Sequence, residues 1–273
     1  MENKKFKILV LSDLKKHTNS AMASAVSLSK MIGAEVDLFH VKKPTEVVGT
    51  DSQLSAIRVL NEEQNKSRNK IMDLINPLIE TYGVNITFNF GIGHVKSEIE
   101  TYIEATKPDV IVLGKRNPKV IKFAGDRITD FILKTYTGSV MIVSNENGLV
   151  PETDLNIGLL NGKSQVFNQA FTEDLMANTC SSLKSFNLVN SINSTEEQSK
   201  TYINKAVDFV FEKNDNTIKN LSSYLEKNQV NLLLVNRADN SDMASNNSSE
   251  IKNVINHVNV SLFITSRIQK QAV

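Results

Sequence analysis

Short apolar runs alternate with longer segments of helical spacing through the first half of the chain. The segments between the runs carry apolar residues three or four positions apart, as in Ala21, Ala25, Leu28 and Ile32, which is the spacing of an amphipathic helix. Strands that are apolar nearly throughout are typical of a parallel sheet with helices on both faces. The pattern predicts a doubly wound α/β domain with strands at residues 6–11, 36–41, 84–90, 110–113 and 140–143.

Small and polar residues predict where these elements begin and end. Residues 18–20 offer side-chain caps to the first helix, and Gly33 ends it in the left-handed conformation that glycine tolerates. Pro77 predicts a kink or a restart of the second helix, because proline lacks a backbone donor and crowds the preceding turn. Gly91 and Gly93 predict a turn after the third strand.

The second half repeats parts of the first at a fixed distance. Within residues 108–116, PDVIVLGKR, the first eight correspond to residues 230–237, VNLLLVNR, at an offset of 230 − 108 = 122. Residues 139–144, SVMIVS, correspond to residues 261–266, SLFITS, at the same offset of 261 − 139 = 122. The sequence therefore predicts two copies of one unit, with residues 236–249 of the second copy as a loose polar loop.

A turn-rich stretch at residues 145–153 separates the two copies, and it predicts domains at residues 1–150 and 151–273. In open parallel sheets, ligands bind beyond the carboxyl ends of the strands where the strand order reverses. Two segments of the first copy are expected there, namely residues 12–14 and the loop at residues 114–127. Five cations of that loop can hold an anion: Lys115, Arg116, Lys119, Lys122 and Arg127.

Five segments of the first copy, taken in order, resemble the universal stress protein family: residues 8–13, ILVLSD; the small-residue helix from Ala21; residues 33–41, GAEVDLFHV; residues 107–114, KPDVIVLG; and residues 139–143, SVMIV. The resemblance implies a tandem member with a degenerate second domain, made of two adenine nucleotide alpha hydrolase-like domains. Since members of the family pair through their last strand, it also implies that residues 140–143 pair with residues 262–265 as an intrachain pseudo-dimer. Whether two chains associate further as a homodimer stays open.

The resemblance also implies a set of nucleotide-binding residues. Nucleotide-binding members carry G-x2-G-x9-G-[ST] after the fourth strand, and here Gly114 takes the first position and Asn117 the second. Gly125 lies two residues ahead of the third position, and Asp126 follows it in place of Ser or Thr. Asp13 matches an acidic residue that contacts the nucleotide, and Val41 matches a strand end whose backbone meets the adenine.

Together these six residues imply a site for ATP or another adenine nucleotide in the first half. Binding is expected to be weak, because the Asn117 side chain crowds the loop and Asp126 repels a phosphate at the helix start that it caps. The residues also allow a simpler interpretation, in which the loop is solvated and Asp13 only bonds amides of its own turn. The second copy lacks glycine from residue 163 onward, so no nucleotide is expected there.

Composition and charge narrow the function classes. The formal net charge of +1 gives no general attraction to nucleic acid or to an anionic membrane, and no apolar run is long enough for a membrane helix. The N-terminus lacks the apolar core of a signal peptide, and Cys180 is the only cysteine, so a cytoplasmic location is expected. The four histidines lie at no metal-ligand spacing, and no nucleophile elbow or P-loop occurs, so neither a metal site nor an enzyme is expected.

Three hypotheses of function follow. The first is a non-catalytic stress-response protein with at most one weak adenine-nucleotide site in its first half. The second is a nucleotide-free module that meets an unknown protein partner through loops such as residues 44–53 or 240–249. The third is a slow ATPase or phosphate acceptor, as the resemblance allows.

Overall fold

The computed structural model describes residues 6–43, 53–115, 127–161, 170–179, 181–189, 207–237 and 244–265. The first half contains β1 (Lys7–Ser12), α1 (His17–Ile32), β2 (Glu35–Lys42), α2 (Gln53–Tyr82), β3 (Ile86–Ile92), α3 (Val95–Thr106), β4 (Val110–Gly114), α4 (Arg127–Thr135) and β5 (Ser139–Val143). The second half contains β6 (Ile157–Leu160), α5 (Ala170–Ala177), β7 (Lys184–Val189), β8 (Val207–Glu212), α6 (Thr217–Lys227), β9 (Leu232–Val235), α7 (Ala244–His257) and β10 (Ser261–Ile264).

All ten of these strands form one sheet in the order β3-β2-β1-β4-β5-β10-β9-β6-β7-β8. The first five strands have the order 3-2-1-4-5, and the next five have the equivalent order reversed. Within each half the neighbouring strands are parallel. The halves are thus two copies of one doubly wound unit related by an approximate two-fold axis, which confirms the predicted fold class.

The two halves join where β5 pairs antiparallel with β10. Val140 lies opposite Ile264, Met141 opposite Phe263, and Ile142 opposite Leu262. This seam confirms the intrachain pairing that the resemblance implied. Pairing the last strands satisfies both of their outer edges, which would otherwise offer unpaired amides and carbonyls to other chains.

Two hydrophobic cores cover the two faces of the sheet, and each runs through both halves. The alternation of side chains along each strand divides them, so that Ile8 and Val10 face one core while Leu9 and Leu11 face the other. The first core includes Met22 of α1, Ile71 of α2 and Leu175 of α5, and the second includes Ile99 of α3, Ile132 of α4, Leu221 of α6 and Val254 of α7. No helix among the described residues is both long and apolar enough to cross a bilayer.

The connection between the halves lies along α1. Ser24 donates from Oγ to the Leu149 carbonyl oxygen at 3.2 Å, and the Lys30 ammonium pairs with the Glu152 carboxylate at 2.8 Å. Leu149 is buried in the first core. The division of the chain at residue 150 stays a prediction, because the sheet and both cores continue past it.

Several predicted boundaries are wrong. The first helix begins at His17, so residues 18–20 lie inside it, and Lys16 at its N-cap makes no side-chain capping bond. Gly33 does end the helix, with φ of 65°. The second helix runs through Pro77 without a restart, so the alternative of a kink there stays a prediction. Helix α7 begins at Ala244, inside the predicted loose loop. At the start of α1, the close packing of His17 against Gly114 of β4 outweighs the capping propensity of residues 18–20.

Candidate functional site

Three of the six predicted site residues lie at one edge of the sheet, at the carboxyl ends of adjacent strands. Asp13 follows β1, Val41 lies next to the end of β2, and Gly114 ends β4. The chain goes from β1 through β2 to β3 on one side and then places β4 on the other side of β1. The strand order therefore reverses between β1 and β4, where such folds bind ligands. The remaining three residues, Asn117, Gly125 and Asp126, lie outside the described residues.

The turn after β1 is held by its own side chains. The Ser12 hydroxyl accepts the Leu14 amide at 2.9 Å and lies 2.8 Å from the Thr18 hydroxyl. Asp13 accepts the Lys15 amide on Oδ1 at 3.1 Å, and Leu14 has a φ of 54°. Asp13 thus has a local structural role of the kind that the simpler interpretation gives it, whatever else its carboxylate binds.

Gly114 is required by the packing of α1. A Cβ at this position would lie 2.9 Å from the His17 carbonyl oxygen and 3.1 Å from its Cβ. The His17 imidazole in turn lies 2.8 Å from the Asn145 amide oxygen through Nδ1, just beyond β5. The start of α1, the end of β4 and the turn after β5 therefore meet at the mouth of the predicted site, which is the sheet edge at the carboxyl ends of β1 and β4. Access of a phosphate to the backbone is thus not the only reason for glycine at position 114.

Val41 lies in a strand end that is fixed on both sides. The preceding residue, His40, donates from Nδ1 to the Ser12 carbonyl oxygen at 2.8 Å, which ties β2 to β1. On the other side Val41 pairs with Gly91 of β3. The turn predicted at Gly91 is wrong, because this residue lies in the strand; a Cβ there would meet the Phe39 ring at 3.2 Å and a Glu98 carboxylate oxygen at 3.3 Å.

Next to Val41, the end of β2 carries an ion pair to α2. The Lys42 ammonium contacts the Glu63 carboxylate, which also accepts from the Lys66 ammonium at 2.8 Å. Hydrogen bonds from Lys42 and then Lys66 lower the pKa of Glu63 to about 2. This pair fixes α2 beside the predicted adenine end of the site.

Of the five loop cations that the sequence suggested, Lys115 is the one whose side chain lies among the described residues. Lys115 donates from its ammonium to the Val258 carbonyl oxygen of the second half at 2.7 Å, and burial lowers its pKa. The exposed Lys15 and Lys16, which sequence reasoning missed, lie in the turn after β1. The sequence could have indicated them, since these two lysines directly follow residues 12–14, which were expected at the switch point. The side chain of Arg127 and all of Arg116, Lys119 and Lys122 lie outside the described residues.

In the second half, Asn161 takes the place that Asp13 has in the first, at the carboxyl end of β6. Asn161 follows β6 with a φ of 48°, and its side-chain oxygen accepts the Leu188 amide of β7 at 2.8 Å. Its own amide donates to the Phe186 carbonyl oxygen at 2.9 Å. The end of β6 is thus bound to β7 by the side chain of Asn161, and residues 162–169 beyond it are not described. Among the residues that are described in either half, no group of three or more His, Cys, Asp or Glu could hold a metal ion.

Comparisons with known proteins agree with this architecture. A universal stress protein from Archaeoglobus fulgidus DSM 4304 has a structure similar to this one, with a TM-score of 0.71, 14% sequence identity and 97% of each chain covered. A functionally unknown protein from Pseudomonas aeruginosa PAO1 is similar at a TM-score of 0.56 and 9% identity, over 97% of this chain and 93% of the other. At these identities the likeness shows the fold alone.

A universal stress protein solved in complex with cAMP matches half of the molecule. It has 19% identity and a TM-score of 0.41, and it covers 51% of this chain and 97% of its own. A likeness this low carries no argument about the ligand of this protein. A search of curated proteins found no match.

A family model settles the relationship. The model described as the universal stress protein family matches residues 6–144, which are 139 of 273 residues and include every element of the first half. The resemblance that the strand segments carried is therefore confirmed. This chain belongs to the universal stress protein family.

Proposed function

We propose that the protein is a non-catalytic stress-response protein with one weak adenine-nucleotide site in its first half. The observation that carries the proposal is the position of Asp13, Val41 and Gly114 together at the switch point between β1 and β4. Membership of the family supports it. The cytoplasmic location and the unknown protein partner stay predictions from the sequence.

Each of the three residues can take a distinct part in binding. The Asp13 carboxylate can accept from ribose hydroxyls as well as from the Lys15 amide, since a carboxylate offers about four lone-pair positions. The backbone near Val41 can meet the adenine edge. Lys15 and Lys16 add positive charge where the phosphates would lie, next to Gly114 and the loop that follows it.

Weak binding is expected because contacts within the protein already use parts of the site. The space beside Gly114 is filled by His17, and the ammonium of Lys115 is bound to Val258. The sequence adds two reasons, since Asn117 stands where the family pattern has a glycine and Asp126 brings a negative charge that repels a phosphate. The absence of catalytic motifs from the sequence supports a binding role over a catalytic one.

Calorimetric titration with ATP, ADP and AMP, with and without Mg²⁺, tests the proposal. Asp13→Asn keeps an acceptor oxygen for the Lys15 amide but removes the charge, so it leaves the turn intact. Loss of a charge-assisted bond predicts affinity about ten- to a hundredfold weaker. The control is Glu104→Gln, an exposed carboxylate on α3, which should bind as the wild type does. Saturable heat that Asp13→Asn leaves unchanged would contradict the proposed site.

A nucleotide-free interaction module is the second candidate. The surroundings of Gly114 and Lys115 favour this candidate. The packing of His17 explains the glycine and the bond to Val258 explains the lysine, so neither residue has to be present for a phosphate. Flat titrations with all three nucleotides would select this alternative. Phosphate release from ATP that exceeds a blank and falls in Asp13→Asn would instead favour the slow ATPase.

A further inference from the structure

Lys115 and Arg237 occupy equivalent positions in the two halves. Their separation is 237 − 115 = 122, which is the offset of the internal repeat. Each follows the fourth strand of its own half, β4 for Lys115 and β9 for Arg237. Both are cations, although the residues that precede them, Gly114 and Asn236, differ.

Each of these cations contacts the opposite half at an equivalent place. The Lys115 ammonium donates to the Val258 carbonyl oxygen at 2.7 Å, and the Arg237 guanidinium donates from Nη1 to the Tyr136 carbonyl oxygen at 2.6 Å. The two acceptors are themselves separated by 258 − 136 = 122. The two-fold relation between the halves is therefore kept in these side-chain contacts as well as in the strands.

The acceptors lie at the carboxyl ends of the last helices. Tyr136 directly follows α4 and its amide bonds back to the Ile132 carbonyl at 2.9 Å, while Val258 directly follows α7 and its amide bonds back to Val254 at 3.0 Å. Carbonyls at a helix carboxyl end carry partial negative charge and favour a cation, most strongly where water is excluded. Arg237 is only 6% exposed, and Lys115 is half-buried.

We propose that Lys115 and Arg237 form a reciprocal clasp, in which each cation binds the carboxyl end of the other half's last helix and the pair holds the β5–β10 seam closed. The clasp does not depend on the nucleotide site. It also means that Lys115, the first residue after β4, is bound to the second half. The second half therefore stabilises the end of β4 at the predicted site of the first half.

Hydrogen exchange at the seam tests the clasp in the full chain. In Lys115→Met and in Arg237→Met, the amides of β5 and of β10 should exchange about tenfold faster, because either loss frees the seam to open as a unit. Lys115→Arg retains a cation and should exchange as the wild type does. The matched control is Lys219→Met, which removes an exposed lysine of α6. Faster exchange confined to the half that carries the substitution, or no faster than in Lys219→Met, would overturn the proposal.

Amine labelling of the wild-type protein gives a measurement that needs no variant. A mild acylating reagent should modify Lys115 much more slowly than the exposed Lys219, since the Lys115 ammonium is bound to Val258. If the methionine variants do not fold, this result decides the question. Labelling of Lys115 at the rate of Lys219 would overturn the clasp.

Discussion

Gly114→Ala separates the packing role of this glycine from a role in binding phosphate. The added Cβ would lie 2.9 Å from the His17 carbonyl oxygen, a distance that real Cβ atoms essentially never show. Since the nearest atom is backbone, no rotation of a side chain can relieve the contact, and α1 or β4 must shift. Inserting a methyl group into a packed site of this kind costs about 1–3 kcal/mol of unfolding free energy.

Urea unfolding without nucleotide measures this cost. The protein contains no tryptophan, so far-ultraviolet circular dichroism is the suitable probe. Gly33→Ala is the matched control, because Gly33 has a φ of 65° and nothing within 4 Å of an added Cβ; its substitution costs backbone strain of about 1–2 kcal/mol without a clash. Gly114→Ala should also perturb the His17–Asn145 contact, whereas Gly33→Ala should not.

A stable Gly114→Ala protein would refute the packing argument. If its urea midpoint matches that of the wild type while its nucleotide affinity falls, the glycine is present for the phosphate and the close approach of α1 is unimportant. A lower midpoint without nucleotide is the result that the geometry requires.

Three further predictions test other parts of the structure. The low pKa of Glu63 means that its ion pair stabilises the fold above about pH 4.5, and this contribution is lost as the pH falls toward 2. The difference in urea midpoint between wild type and Glu63→Gln should therefore shrink on acidification. A difference that stays constant with pH would contradict the assignment. Phe263→Ala, at a fully buried seam position, should cost about 3–5 kcal/mol in urea unfolding, and a loss below 1 kcal/mol would show that the seam is not packed as described. Asn161→Ala should cost about 1 kcal/mol because the partly buried Leu188 amide loses its acceptor, and faster exchange of that amide is the check.

Central strands such as β4 and β5 could be predicted from sequence, because burial on both faces makes them apolar nearly throughout. The seam was predicted through the family resemblance, which implies that the last strands pair, and the repeat offset identified Val140 and Leu262 as equivalent residues of those strands. The ends of the helices were harder to predict from the sequence. The start of α1 at His17 depends on how closely this helix approaches β4, and no local pattern encodes that distance.

The candidate site could be predicted only in part from the sequence, because some of its contacts depend on the packing of distant segments. Asp13, Val41 and Gly114 could be placed at one sheet edge, because the carboxyl ends of parallel strands meet there. The partner of Lys115 could not be named, because it lies 143 residues away in the chain and reaches Lys115 only across the seam. A positive charge in the sequence does not show whether it faces a ligand or a helix end.

Amide chemical-shift mapping with ATP tests the central claim most directly. The proposal requires saturable shifts at the ends of β1, β2 and β4, centred on Asp13, Val41 and Gly114, with none at Asn161 and the end of β6. Shifts that cluster at the second half, or no shifts in either half at saturating ATP, would contradict a single nucleotide site in the first.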